Sequence, residues 1–325
     1  MYILKFQDIY KTPIWGGSKI GTFKGKTLDL SSVGESWEIS AVEGDLSIVA
    51  NGVDAGKTIA ELMARDGERL VGAHVARYFG TTFPLLVKFI DAHDNLSIQV
   101  HPDDKLARER HNAFGKTEMW YVIDAEPGAG LYSGFSKAIT PEEYVERVAN
   151  NTIMDVLQFH PVHPGDVFYL PSGRIHAIGS GVFIAEIQQT SNITYRIFDY
   201  NRVDKSGNPR ELHTELAKDA IDYKMYDNLK MEYIPIKNQA VELVDCPYFT
   251  TTLLQLDIPM ERPIALYDSF MVYVCMRGSA RITADNGTWV DVKQGETCLV
   301  PAEIGSVKVH PNMYTELLES YVRKD

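Results

Sequence analysis

The chain has 325 residues, 45% of them hydrophobic, and a formal net charge of −12. That length supports a large core in two domains or a double barrel. The acidic balance argues against nucleic acid as a partner, because phosphate contacts need basic patches, whereas a small anionic substrate needs only a few local cations.

No apolar run is long enough for a transmembrane helix, and the opening MYILKFQDIY lacks the basic-then-apolar pattern of a signal peptide. Cys246, Cys275 and Cys298 are an odd, unpatterned set, read as buried thiols in a reducing compartment. The expectation is a cytoplasmic protein with no membrane partner.

Residues 1–50 read as short strands (3–6, 36–39, 46–48) and loops, among them the turn-rich KTPIWGG of residues 11–17. Trp15 is assigned to the core, since large aromatics are usually buried. Glu35 and Glu38 flank Trp37 and are assigned to a solvated face. Residues 58–75 predict helix, with Thr58 and Glu61 forming a capping-box pattern and Gly67 dividing the segment in two. Residues 83–91, FPLLVKFID, predict a buried strand whose one cation, Lys88, points into a cavity.

The stretch LSIQVHPDDKLARERHNAFGKTE (residues 96–118) organises the rest. Ser97, Gln99 and His101 alternate with Leu96, Ile98 and Val100, so a β-strand would put the three polar groups on one face, lining a polar cavity inside a barrel. Pro102 ends the strand. A short exposed helix follows, with Asp103 and Asp104 near its start and Arg108 and Arg110 near its end, complementing the helix dipole. Lys116 and Glu118 form a second pair on one face, leading into a strand at 119–123.

Thr140-Pro141-Glu142-Glu143 opens a predicted helix over 140–157. His160 and His163 lie beside prolines, with nothing nearby to complete a ligand set. In residues 165–181, GDVFYLPSGRIHAIGSG, a strand reaches a Pro-Ser-Gly turn and resumes at His176. Residues 182–200 predict strands. Glu186 and Gln188 share one face, and Thr194, Arg196 and Phe198 another. Residues 211–226 predict a connecting helix.

From residue 228 the chain is β-rich, with Asn286-Gly287 a hairpin signal. Residues 165–171 (GDVFYLP) and 295–301 (GETCLVP) match in spacing and character, and His176 then falls opposite Ser306. The fold expected is mainly β: a double jelly-roll barrel, with a metal-binding catalytic domain over 1–226 and a metal-free one over 227–325.

Gln99, His101, Glu118 and His176 supply two imidazoles, a carboxylate and an amide. Such N/O sets suit a catalytic zinc that keeps a position for substrate, and other first-row divalent metals too. With the carboxylate ionised, about one positive charge remains to polarise an oxygen. A redox-active iron for oxygenation takes two His and one carboxylate, and the extra Gln argues against it. A non-catalytic double barrel has no reason to keep four ligands.

Ser97, Gln99 and His101 (SxQxH), Lys116 and Glu118 (KxE), the PxGxxH turn ending at His176 and the TYR segment ending at Arg196 together resemble type I mannose-6-phosphate isomerases. The resemblance spans most of residues 1–320 and matches the short bacterial form, without the large helical insertion of longer members. It implies a cupin fold, one zinc per chain and interconversion of mannose 6-phosphate with fructose 6-phosphate through a cis-enediol. It maps the zinc ligands onto Gln99, His101, Glu118 and His176, the active-site arginine onto Arg196, lysines onto Lys88 and Lys116, a glutamate onto Glu186 and a further basic residue onto Arg202. Ser97 and Arg202 become candidates for the substrate phosphate, and Arg196 and Lys116 for either phosphate or reacting oxygens. Glu186 or a lysine becomes the general base or acid. Asn192 stands where many members carry Asp, so any proton transfer by that Asp lies elsewhere here, or the substrate is another phosphosugar.

Overall fold

The computed structural model describes residues 1–26, 32–203 and 207–324. Two antiparallel β-sandwiches follow one another along the chain, as the double jelly-roll expectation required. In the first, a seven-stranded sheet runs Ile9–Lys11, Glu35–Ile39, Leu85–Asp91, Val182–Gln189, Glu118–Ala125, Val167–Leu170, Lys230–Met231. It faces a five-stranded sheet ordered Tyr195–Phe198, Ile98–Val100, His176–Ile178, Gly130–Phe135, Leu157–Pro161. In the second, Ala240–Asp245, Thr250–Leu256, Thr315–Tyr321, Met271–Arg277 and Thr297–Val300 face Met260–Arg262, Val307–Pro311, Ser279–Ala284 and Trp289–Lys293.

The large sheets meet back to back. Alternation sends Val87, Phe89, Met119, Ala185 and Ile187 outward from the first, and they share one core with Leu253, Val272, Val274 and Leu318 of the second. The outer face of the five-stranded sheet, with Ile98, Val100, Ala177 and Tyr195, is covered by Tyr144 and Val148 of the helix Pro141–Ala149 and by Ala217 of the helix Thr214–Ala220. Between the two sheets, Ile90, Leu96, Val122, Leu131, Phe168 and Ile184 form a further apolar cluster beside the polar side chains described below. The first residues cross to the second sandwich: Ile3 lies in its core and Leu4 pairs with Leu299.

Several sequence expectations need correction. The helix expected over 140–157 covers only Pro141–Ala149, with a short 3-10 helix at Ile153–Val156. Residues 58–75 form helices Ile59–Asp66 and Glu68–Val71 and the start of a third, Ala73–Phe79, rather than two. Gly67 (φ 38°) and Gly72 (φ 95°) break the run, and a side chain at Gly72 would collide with the Asp268 carbonyl. The helix expected over 211–226 covers only Thr214–Ala220. Glu35 and Glu38 are not on a solvated face. Their strand is second in a seven-stranded sheet with both faces covered, so Glu38 is buried against Lys24 (2.5 Å) and Glu35 turns into the barrel. Burial raises the Glu38 carboxyl to about 7, against the pull of Lys24.

The internal echo has an exact counterpart in strand pairing. Phe168 opposes Trp120 as Cys298 opposes Tyr273, and one strand further Glu186 opposes Trp120 as Glu319 opposes Tyr273. In that register Met271 stands where the first sandwich has Glu118, each opposite the last residue of the echoed strand. At these two positions the second sandwich keeps a buried glutamate, Glu319, and has Met271 in place of Glu118.

Candidate metal centre and cavity

Two rows of side chains face each other across the first sandwich. On the seven-stranded sheet, Trp37, Lys88, Glu186 and Trp120 stand in register on successive strands, with Glu118 opposite Gln188 one pleat away. On the five-stranded sheet, Arg196, Gln99 and His176 are in register. His101 follows its strand directly.

The two rows bring His101, Glu118 and His176 together, with ligand atoms within 4.8 Å of one another and all three residues buried. His176 Nε2 is 3.2 Å from Glu118 Oε1, and His101 Nε2 is 3.5 Å from Glu118 Oε2. Each imidazole donates its Nδ1–H to a backbone carbonyl, His101 to Ile193 (2.9 Å) and His176 to Arg174 (2.8 Å). That fixes the tautomer with a bare Nε2 facing the site, the usual outer support of a metal-binding histidine.

Burial, then Lys116 and His176, hold His101 well below the ordinary imidazole range, and burial above all pushes His176 down to about 3. Both shifts favour the neutral ring. Neither Glu118 oxygen makes a hydrogen bond among the described residues. Two unprotonated imidazole nitrogens and a carboxylate facing one another attract positive charge, and this donor set fits a divalent first-row metal. Lys116 Nζ approaches the same atoms, 2.9 Å from His101 Nε2 and 3.1 Å from Glu118 Oε2. Gln99 is adjacent, its amide 3.3 Å from His176 Nε2. A flip of that amide would present its oxygen instead of its nitrogen. His160 lies elsewhere, on the Ser133 carbonyl, and His163 is exposed.

The centre borders a cavity of about 340 Å³, lined among others by Ser97, Gln99, Lys116, Glu186, Asn192 and Arg196. Lys88 lies in its wall and is buried, as its position before the ligand strand suggested. Burial would lower its ammonium, but Glu186, Glu35 and Glu118 outweigh that and hold it above the ordinary lysine value. Burial and Glu118 raise Glu186 against Lys88 and Lys116. Trp15 serves twice, packing in the core with Ile90 and Leu96 and walling this cavity. A larger, open groove of about 930 Å³ by Asp166, Lys230 and Tyr233 brings no such set of groups together, so the chemistry is assigned to the smaller cavity.

Arg202 is placed differently from Arg196. Its guanidinium donates to Asp199 Oδ1 (2.5 Å) and the Asn95 carbonyl (2.7 Å), whereas Arg210 joins Arg196 on the cavity wall. Arg210 grips Asp199 with two nitrogens, at 2.7 and 2.5 Å. Burial and then Arg210 lower the Arg196 guanidinium, and its buried Nε makes no hydrogen bond among the described residues. Two convergent guanidiniums with a donor to spare suit an anion. Sequence reading missed Arg210 because it lies in an irregular segment without periodicity. It also placed Glu35 on a solvated face, because whether an acid on a strand meets solvent depends on how many strands flank it.

Residues 3–126 match the model for the phosphomannose isomerase type I catalytic domain, and residues 239–321 the model for the mannose-6-phosphate isomerase cupin domain. The chain is 34% identical over 309 residues to the probable mannose-6-phosphate isomerase GmuF of Bacillus subtilis, covering 94% of this chain and 95% of that protein. It is 34% identical to a mannose-6-phosphate isomerase of Streptococcus mutans, over 90% of each chain. The crystal structure of a B. subtilis mannose 6-phosphate isomerase superposes with a TM-score of 0.88 at 31% identity, covering 98% of this chain and 99% of that one. With relatives this similar aligned along nearly their whole length, and a buried His–Glu–His cluster within the first sandwich, the chain belongs to the type I mannose-6-phosphate isomerase family.

Proposed function

We propose that this protein interconverts mannose 6-phosphate and fructose 6-phosphate by proton transfer through a cis-enediol, with one zinc ion held by Gln99, His101, Glu118 and His176. The convergence of His101, Glu118 and His176 from two facing sheets, beside a cavity rich in cations, carries this reading. When bound, the metal supplies electrostatic stabilisation of charge developing on the sugar oxygens.

The chain's own groups do the rest. Arg196 and Arg210 take the phosphate between their guanidiniums, with Ser97 a further donor to the substrate and Arg202 steadying the cradle through Asp199. The Glu186 carboxylate takes the proton from the carbon beside the carbonyl and, as the carboxylic acid, returns it to the neighbouring carbon. Asn192, on the cavity wall, is neutral, which leaves this work to Glu186 with the Lys88 ammonium beside it (3.2 Å). Isomerisation also moves a proton between the two oxygens: Lys116 donates to the carbonyl oxygen as the enediol forms and takes the proton of the neighbouring hydroxyl as the new carbonyl appears. Trp15 and Ile178 on the wall limit the access of water. Cys246, Cys275 and Cys298 are free thiols, and no helix among the described residues is long and apolar enough to cross a membrane; a cytoplasmic setting is proposed on those grounds.

Turnover of mannose 6-phosphate, coupled to detection of fructose 6-phosphate, should vanish on chelation and return with zinc. A folded, zinc-loaded sample without turnover would overturn the substrate assignment, and Asn192 then favours a panel of other phosphosugars. Replacing Arg210 by methionine should raise KM for the sugar phosphate roughly tenfold or more, with a smaller change in kcat, since a charge-assisted contact to phosphate is lost. Inorganic phosphate should inhibit that variant correspondingly less. An unchanged KM would remove Arg210 from the phosphate cradle.

A further inference from the structure

Lys88 is shared between two carboxylates. Its Nζ lies 3.2 Å from Glu186 Oε1 and 3.7 Å from Glu35 Oε2. Each carboxylate is pinned by an indole N–H: Trp120 donates to Glu186 Oε2 (3.1 Å) and Trp37 to Glu35 Oε2 (2.6 Å). The two tryptophans flank Lys88 and Glu186 in one row across four strands, and Lys88 Nζ stands 5.7 Å from the centroid of the Trp37 ring. Neither acid can follow the ammonium, so the ammonium is divided between them. Glu35 is the more open of the two, its side chain 18% exposed against 3% for Glu186, and it lines the cavity.

We propose that Glu35 is a positioning residue for the acid–base pair: it draws the Lys88 ammonium partly away from Glu186 and thereby sets the pH range in which the pair works. This rests on the isomerase reading above. The titratable groups facing the pair are Glu35 on one neighbouring strand, Glu118 on the other with Lys116 just before it, and His101 and His176 from the opposite sheet. Of these, Glu35 alone touches Lys88 from the side away from Glu186.

The sign follows from charge. Glu35→Gln keeps an acceptor for Trp37 but removes a negative neighbour that raises both groups. Glu186 also gains an undivided ammonium. Both groups then lose their protons at lower pH. The base must be deprotonated, so the acidic limb of the kcat/KM profile, which Glu186 sets, should move to lower pH by on the order of one unit. Metal content and thermal midpoint should stay near those of the parent chain, and Glu35→Asp should bring the profile back toward it.

A lowered plateau with an unmoved acidic limb would overturn the proposal, because a merely structural role moves no limb. Carbon-13 NMR titration of the glutamate carboxyls, with Glu186 assigned through Glu186→Gln, reads the same displacement without substrate. A parent chain inactive on mannose 6-phosphate but with a displaced Glu186 midpoint in Glu35→Gln would remove the isomerase reading and uphold the role of Glu35. An unmoved midpoint would overturn that role in either case.

Discussion

A chain with His176 replaced by alanine should fold, lose its metal and turn over sugar phosphate at least about a thousandfold more slowly. His176 sits on a strand between Ile98–Val100 and Gly130–Phe135, with its Nδ1 tied to the Arg174 carbonyl and its Nε2 aimed at Glu118. Alanine keeps the backbone pairing and removes one of the two imidazoles. What remains is one histidine, a carboxylate and an amide, too few strong donors for a tight divalent site. The electrostatic help lost with the ion amounts to several kcal/mol at the transition state, which sets the scale of the rate loss. Elemental analysis for bound metal, kcat/KM and circular dichroism on one sample check it. A variant that keeps a full equivalent of metal, or full activity without it, would contradict the proposed centre.

The second large effect lies in the sandwich without ligands. Glu319 occupies the sheet position that Glu186 has in the first, is fully buried, and is met by Arg262 at 2.6 and 2.9 Å, the Tyr273 hydroxyl at 2.8 Å and Thr252 at 3.2 Å. Where the first sandwich leaves its glutamate beside an open cavity, the second closes the space with an arginine from the facing sheet. Arg262→Met should lower stability by about 3 kcal/mol, since it strands a buried carboxylate. The double variant with Glu319→Gln should recover part of the loss, because the stranded charge is then gone. Denaturant midpoints for the four chains of this cycle check both statements, and an Arg262→Met chain as stable as its parent would refute the first. Isomerase activity measured where both variants are folded should be little changed, since Arg262 and Glu319 belong to the other sandwich.

Much of the site was legible because β-structure has a period of two. The alternation of Ser97, Gln99 and His101 with apolar residues placed three polar groups on one face, and the GDVFYLP and GETCLVP echo announced two related units. A buried lysine in an otherwise apolar strand pointed to a cavity, and Lys88 lines one. Glu35 and Arg210 were not legible in this way. Whether an acid beside a strand faces solvent depends on how many strands flank it, and Glu35 has a neighbour on each side. Arg210 sits in a segment without regular structure, where position along the chain says nothing about direction.

Local alternation, turn chemistry and residue type were enough for the mainly β class, for His101, Glu118 and His176 as a candidate ligand group and for the echo between the two units. Tertiary structure alone decided that Arg210 and not Arg202 lines the cavity with Arg196, that Lys88 is divided between Glu186 and Glu35, and that the large sheets join back to back. These are contacts between segments tens to hundreds of residues apart. They are set by strand order and by which face of each sheet is covered, quantities that no stretch of sequence contains on its own.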